Sequence, residues 1–200
     1  MRLRLNVSVA LAVVAALVFH VAGFAADCAE VRRDVLRIHV VAASNSEFDQ
    51  RLKLMVRDAV LEKGGAIFDG TLTADEAERI ITPRVDELKA AAEAVLLKNG
   101  CDYNVDISVG EEYFATRCYD RFTMPAGVYT AVRVNIGSAE GKNWWCVMFP
   151  PLCLPAAAAD ADAFFTEDEM KVVSSSPEYE PRFRIVELIE SIKNKLRNAS

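Results

Sequence analysis

The sequence predicts an α+β fold, a mostly antiparallel sheet with helices packed on one face, in the order β-α-α-β-β-β with a C-terminal amphipathic helix. Three observations lead there. Residues 34–43 form an apolar run rich in β-branched side chains. Residues 46–100 carry helical spacing between capping and glycine stop signals. Residues 103–149 switch to strict alternation. A helical block followed by a run of strands is the pattern of helices segregated on an antiparallel sheet.

The chain opens on Arg2 and Arg4, followed by an apolar stretch from Leu5 to Phe24 and the small residues Gly23, Ala25 and Ala26. This is the layout of a secretory signal. The run is also close to the roughly 20 residues that span a bilayer. Residues 1–25 are therefore read as a signal peptide or an N-terminal membrane anchor. Basic residues at the start keep the N-terminus cytoplasmic, so the remainder is exported in either case. Without Arg2 and Arg4, 21 basic residues face 29 acidic ones, a net charge of −8. That balance gives no electrostatic route to nucleic acid.

The signalling domain is expected over residues 30–153. Val35, Leu36, Ile38, Val40 and Val41 are apolar on both faces, which suits a central strand. His39 sits among them as a structural residue. Ser44, Asn45 and Ser46 stop the strand, and Ser46 with Asp49 resembles a capping box. Leu52, Met55, Val56, Ala59 and Val60 then give one helical face, ended by Gly64-Gly65. Thr73 and Glu76 open a second helix. Pro83 either kinks it or starts a new one after Thr82. Leu88, Ala92 and Leu96 continue the face to Asn99-Gly100. Tyr103, Val105, Ile107 and Val109 alternate with polar residues as a half-buried strand. Glu111-Glu112 reads as a solvated loop. After a turn at Met124-Pro125-Ala126-Gly127, Val128 to Ile136 alternates again. This strand is expected to pair with Trp144–Phe149 as an antiparallel hairpin. Residues 154–181 read as an Ala/Asp- and Ser/Pro-rich linker. Residues 182–200 read as an amphipathic helix with Ile185, Leu188, Ile189, Ile192 and Leu196 on one face. That face either packs on the domain or docks on a partner or membrane interface.

Candidate chemistry is sparse. A Cys146–His39 nucleophilic pair has the right residue types, but no local motif supports it. No spacing suits a metal, and no glycine loop cradles a phosphate. No catalytic residue, metal, cofactor or small-molecule substrate is assigned. The five cysteines are Cys28, Cys101, Cys118, Cys146 and Cys153. Cys146 and Cys153 are read as a possible disulfide, because Pro150 and Pro151 bend the chain between them. The least ordinary segment is Gly141–Cys153, with adjacent Trp144 and Trp145. In a strand these rings point to opposite faces, so one can enter a core while the other meets a partner. Trp144, Trp145, Phe149, Pro150 and Pro151 are the candidate partner-binding set, and His39, Ser44 and Asp49 a structural or functional strand and turn.

Four pieces together resemble the stage II sporulation protein R family: Arg37–Ser46, Asp49–Val60, Met124–Gly137 and Gly141–Cys153. The fourth is the specific one. The family has Asn-Ser-Asp where this chain has Ala43-Ser44-Asn45, so a role for that acidic residue does not carry over. The resemblance implies a signalling protein and not an enzyme. Such a protein is exported from the forespore into the space between the forespore and mother-cell membranes, close to the septal membrane. There it activates a membrane-embedded aspartic protease of the mother cell, which processes the precursor of sporulation sigma factor E. Two rival readings are a secreted Cys-His hydrolase and a cell-wall or membrane-surface binding module.

Overall fold

A computed structural model describes residues 2–68, 70, 73–119, 122–152, 164–174 and 181–199. The chain divides into two compact units. The larger, residues 33–112 and 129–164, is built on a four-stranded sheet. Its strands are β1 (Leu36–Val41), β2 (Val105–Phe114), β5 (Gly127–Ile136) and β6 (Asn143–Phe149), in spatial order β2-β5-β1-β6. Helices α2 (Glu47–Ile67), α3 (Ala74–Ile81) and α4 (Val85–Lys98) accompany it. The fold is α+β, as the sequence predicts.

Every residue of β1 is buried, as expected of a central strand. The predicted hairpin of β5 with β6 does not form. β1 lies between them, parallel to β5 (His39 opposite Arg133) and antiparallel to β6 (His39 opposite Trp145). Alternation fixes which face a side chain takes, not which strand lies alongside. The strand with two apolar faces takes the interior position, where both of its edges are paired.

Register then sorts the side chains. Leu36, Ile38 and Val40 of β1 face the helices with Trp144 and Cys146 of β6. The first two anchors on the helical side are Arg57 of α2, over Trp144, and Glu78 of α3, which accepts from Thr130 Oγ1 at 3.3 Å. Arg37 and His39 point the other way. Arg37 is fully buried, its Nε donating to the Cys146 carbonyl at 2.8 Å and its guanidinium 4.9 Å from the Tyr129 ring centre.

The local signals hold where they were strongest. Ser46 caps α2 through Asp49 N–H, and Thr73 caps α3 through Glu76 N–H. Pro83 lies in a 3₁₀ turn, Thr82–Arg84, between α3 and α4. Glu111 and Glu112, expected in a loop, are part of the ten-residue strand β2.

The smaller unit comprises residues 1–32, 113–128 and 165–200. It holds α1 (Arg2–Arg33), a two-stranded sheet of β3 (Arg117–Cys118) and β4 (Thr123–Met124), α5 (Glu167–Val173) and α6 (Pro181–Arg197). α5 falls inside the segment read as linker. A complete capping box between Thr166 and Glu169 starts it, and Val172 and Val173 are buried. α6 is the expected amphipathic helix, yet its anchors are Phe183 and Val186, each 1% exposed. Ile185, Leu188, Ile189, Ile192 and Leu196 remain exposed, so the predicted face is not covered.

Candidate functional site

β1 and β5 are parallel neighbours, so the loops leaving their C-terminal ends emerge at the same end of the sheet, where open α/β sheets place their sites. The Ala42–Ser46 turn and the Gly137–Lys142 loop are bonded together there. Gly141 N–H donates to the Ala42 carbonyl (2.9 Å), Ser138 Oγ to the Ala43 carbonyl (2.8 Å) and Lys142 N–H to Asn45 Oδ1 (2.9 Å). Ser44 Oγ donates to Asp49 Oδ2 at 2.5 Å and accepts from Ser46 N–H at 3.0 Å. Gln50 Nε2 donates back to the Ser44 carbonyl at 2.7 Å. Ser44 and Asp49 thus come together as a turn brace. The nearby Asp49 carboxylate, ahead of burial, holds the Tyr103 phenol above its usual pKa.

Lys53, one turn beyond Asp49 on α2, is buried at 5% exposure. Its Nζ donates to Gln50 Oε1 (2.7 Å) and the Lys142 carbonyl (2.9 Å). Burial, then the charges of Lys142 and Arg57, push its pKa below the ordinary value. Charging this amine costs the fold stability at pH values below the lowered pKa. That cost disappears as pH climbs through it towards 10.5, because the unfolded chain then holds the extra proton.

The tryptophans diverge from this end of β6. Trp144 lies on the helix side under Arg57, whose guanidinium is 4.8 Å from the ring centre. Trp145 lies on the opposite side, stacked on His39 at 5.3 Å between centres and 22° between planes. Both are half-buried. His39 is held at both ring nitrogens, Nδ1 at 2.7 Å from Glu112 Oε1 and Nε2 at 2.8 Å from Asn143 Oδ1. Arg133 joins the same carboxylate at 3.2 Å. His39 is therefore a structural clamp joining β2, β1 and the start of β6.

Other parts of the expected set need correction. Phe149 is 3% exposed, packed edge-on against Phe68 and Phe164 at 5.6 and 5.8 Å. Pro150 is buried and Pro151 half-buried. Phe149 and Pro150 are buried and not exposed as a contact edge would be, and the aromatic side chains from the end of α2 and from residue 164 close over Phe149. The Cys146–His39 pair does not assemble. Cys146 pairs with Ile38 on the other face of β1 and is disulfide-bonded. Its expected partner Cys153 lies outside the described residues, while Cys28, Cys101 and Cys118 are free.

Sequence reasoning misses Lys53, Arg57, Arg133 and Lys142, and places Glu112 in a solvated loop. The one local trace is the four-residue spacing of Lys53 and Arg57, which puts two cations on adjacent turns of α2.

The sequence profile described as Stage II sporulation protein R (spore_II_R) matches residues 32–159, which take in all of these positions. "Stage II sporulation protein R" of Bacillus subtilis (strain 168) is 36% identical over 118 residues, 59% of this chain and 53% of that relative. The matched stretch spans about half the length of the relative. No solved structure matches.

Proposed function

The chain belongs to the stage II sporulation protein R family, and from that premise we propose that it is an exported signal. It acts between the forespore and mother-cell membranes and activates the membrane-embedded aspartic protease that processes the precursor of sporulation sigma factor E. The observation that carries this reading is the Trp144–Trp145 pair. Two large half-buried rings, braced by Arg57 and by His39, sit at one end of the terminal strand β6. Tryptophan is enriched among the few residues that carry most of the binding energy at protein interfaces.

Co-expression of the full chain with the protease and the sigma precursor in a non-sporulating host is the direct test. Processing is expected only when this chain is present and reaches the protease's exported side. Equal processing without the chain overturns the reading.

The N-terminal helix acts as a retained anchor in this proposal. Within Asn6–Arg33 its most apolar 18-residue window has a mean hydropathy of 2.4, which fits a signal peptide or an anchor. In the smaller unit, however, α1 runs unbroken past the small residues that suggested cleavage. Phe24, Cys28 and Val31 on its last turns are buried, and Phe24 packs edge-on against Phe183 of α6 at 4.9 Å. Arg32 bonds the Ala126 carbonyl at 3.1 Å and pairs with Glu190 at 3.7 Å. The expected cleavage point therefore lies within packed structure. Membranes washed with alkaline carbonate should retain the intact 22.0 kDa chain. Recovery of a soluble species lacking residues 1–25 overturns the anchor.

A further inference from the structure

Lys53, Arg57 and Lys142 lie near one another in a chain that is acidic as a whole, with Arg57 over the Trp144 ring and Lys53 bonded to the Lys142 carbonyl. Lys53 bonds only neutral oxygens, those of Gln50 and Lys142, and among the described residues it has no carboxylate partner. Arg57, one helical turn on, is paired with Asp58 at 2.6 Å, but that carboxylate is 63% exposed and lies to the solvent side. Lys142 is exposed, and its main chain is fixed by Asn45 on one side and Lys53 on the other. Lys142 and Arg57 are close enough to act on the Lys53 charge. A buried ammonium without a counter-charge is destabilising. The charges of Lys142 and Arg57 add to that penalty. A carboxylate arriving from outside the chain removes the penalty and gains from all three charges at once.

We propose that Lys53, Arg57, Lys142 and the Trp144 ring form a receptor for an acidic side chain of the protein partner, an Asp or Glu with an apolar neighbour laid against the indole. The proposal rests on the signalling reading and names the chemistry that this part of the surface recognises. A peptide carboxylate fits better than a lipid phosphate for two reasons. The exported part carries a net charge of −8, which an anionic membrane surface repels. Lys53 is also only 5% exposed, so its charge suits one inserted side chain and not a planar array of headgroups.

The test uses the full chain in neutral detergent with the substitution Trp145→Phe, so that Trp144 is the sole indole. The probe is a capped hexapeptide of alternating Leu and Glu, with the Leu/Gln peptide as its neutral control. The acidic peptide is expected to shift Trp144 emission saturably, and less so as salt rises. The neutral peptide is expected to leave the emission unchanged. Lys53→Met keeps the aliphatic stem and is expected to weaken binding by about tenfold or more. Its Tm should equal or exceed that of the parent, because an uncompensated charge is removed. Calorimetric titration of the unaltered chain gives the same comparison should the Trp145→Phe chain be unstable.

Three results overturn the proposal: no response to the acidic peptide, unchanged affinity in Lys53→Met, or a response to phosphatidylglycerol vesicles without one to the peptide. Loss of Tm in Lys53→Met with peptide affinity intact assigns Lys53 a purely structural role and also overturns it. These measurements need no protease. If the unaltered chain fails to trigger processing in co-expression, the signalling reading falls separately from the receptor.

Discussion

Gly141→Ala is expected to destabilise the larger unit by about 2–4 kcal/mol, combining overpacking against backbone with the loss of one or more hydrogen bonds. A Cβ at this position would lie 2.3 Å from the Ser44 carbonyl oxygen, 2.7 Å from its carbon and 2.8 Å from the Ala42 carbonyl oxygen. All three are main-chain atoms, so no rotamer change relieves the overlap. The loop must back away from the turn, and the bonds across that seam go with it: Gly141 N–H to Ala42, Lys142 N–H to Asn45, and Lys53 to the Lys142 carbonyl. Gly65 is the matched control. It lies within α2 with nothing inside 4 Å of its would-be Cβ, so Gly65→Ala should stabilise by about 0.5–1 kcal/mol through helix propensity. Urea denaturation of the two variants checks both signs. If Gly141→Ala unfolds at the same midpoint as the parent, the seam contributes nothing. The consequence for activity follows from the same geometry, since a displaced Lys142 moves the start of β6 and with it Trp144.

What was legible in the sequence was local. Helix caps at Ser46 and Thr73 are written within four residues of themselves, and the apolar faces of β1 declare a central strand. The capping box at Thr166 was equally local. The low-complexity composition on either side obscures it, and the segment that forms α5 reads as linker. What was not legible depended on distant partners. The buried side of α2 includes Asp49, Leu52, Lys53, Val56 and Val60, while Met55, placed on the apolar face by its chemistry, is 38% exposed. Lys53 can lie on that side because the carbonyl that accepts a hydrogen bond from its Nζ belongs to Lys142, 89 residues away. Glu112 reads as loop because it lies between the predicted strands, beyond the alternation that ends at Val109. Its pairing with His39, 73 residues distant, and with Arg133 supplies the missing reason. α6 makes a related point. Periodicity shows that a helix owns an apolar face, and only the tertiary structure shows that Phe183 and Val186 take the packing while the rest stays open.

Trp144→Ala and Trp145→Ala are each expected to abolish sigma-precursor processing while the protein still folds and is exported. A ligand activates its target only to the extent that it binds the active state better than the inactive one. A tenfold bias needs about 1.4 kcal/mol, and truncating an interface tryptophan commonly removes about 2 kcal/mol or more. One ring is therefore enough to erase the bias. Stability is the competing explanation, and the structure separates the two. Both rings are half-buried, so each truncation should cost less than the roughly 3–5 kcal/mol of a fully buried aromatic. Moreover, the two losses fall on different supports. Without Trp145, His39 keeps Glu112 and Asn143 but loses its stacking face. Without Trp144, Arg57 keeps Asp58 but loses the ring beneath it. A general loss of folding would lower Tm and secretion in proportion to the loss of processing. A contact role predicts the opposite pattern, with near-parental Tm and export but no processing. Because the rings occupy opposite faces of β6, failure of one variant alone would identify the face that meets the protease. Normal signalling by both would remove the tryptophan pair from the interface.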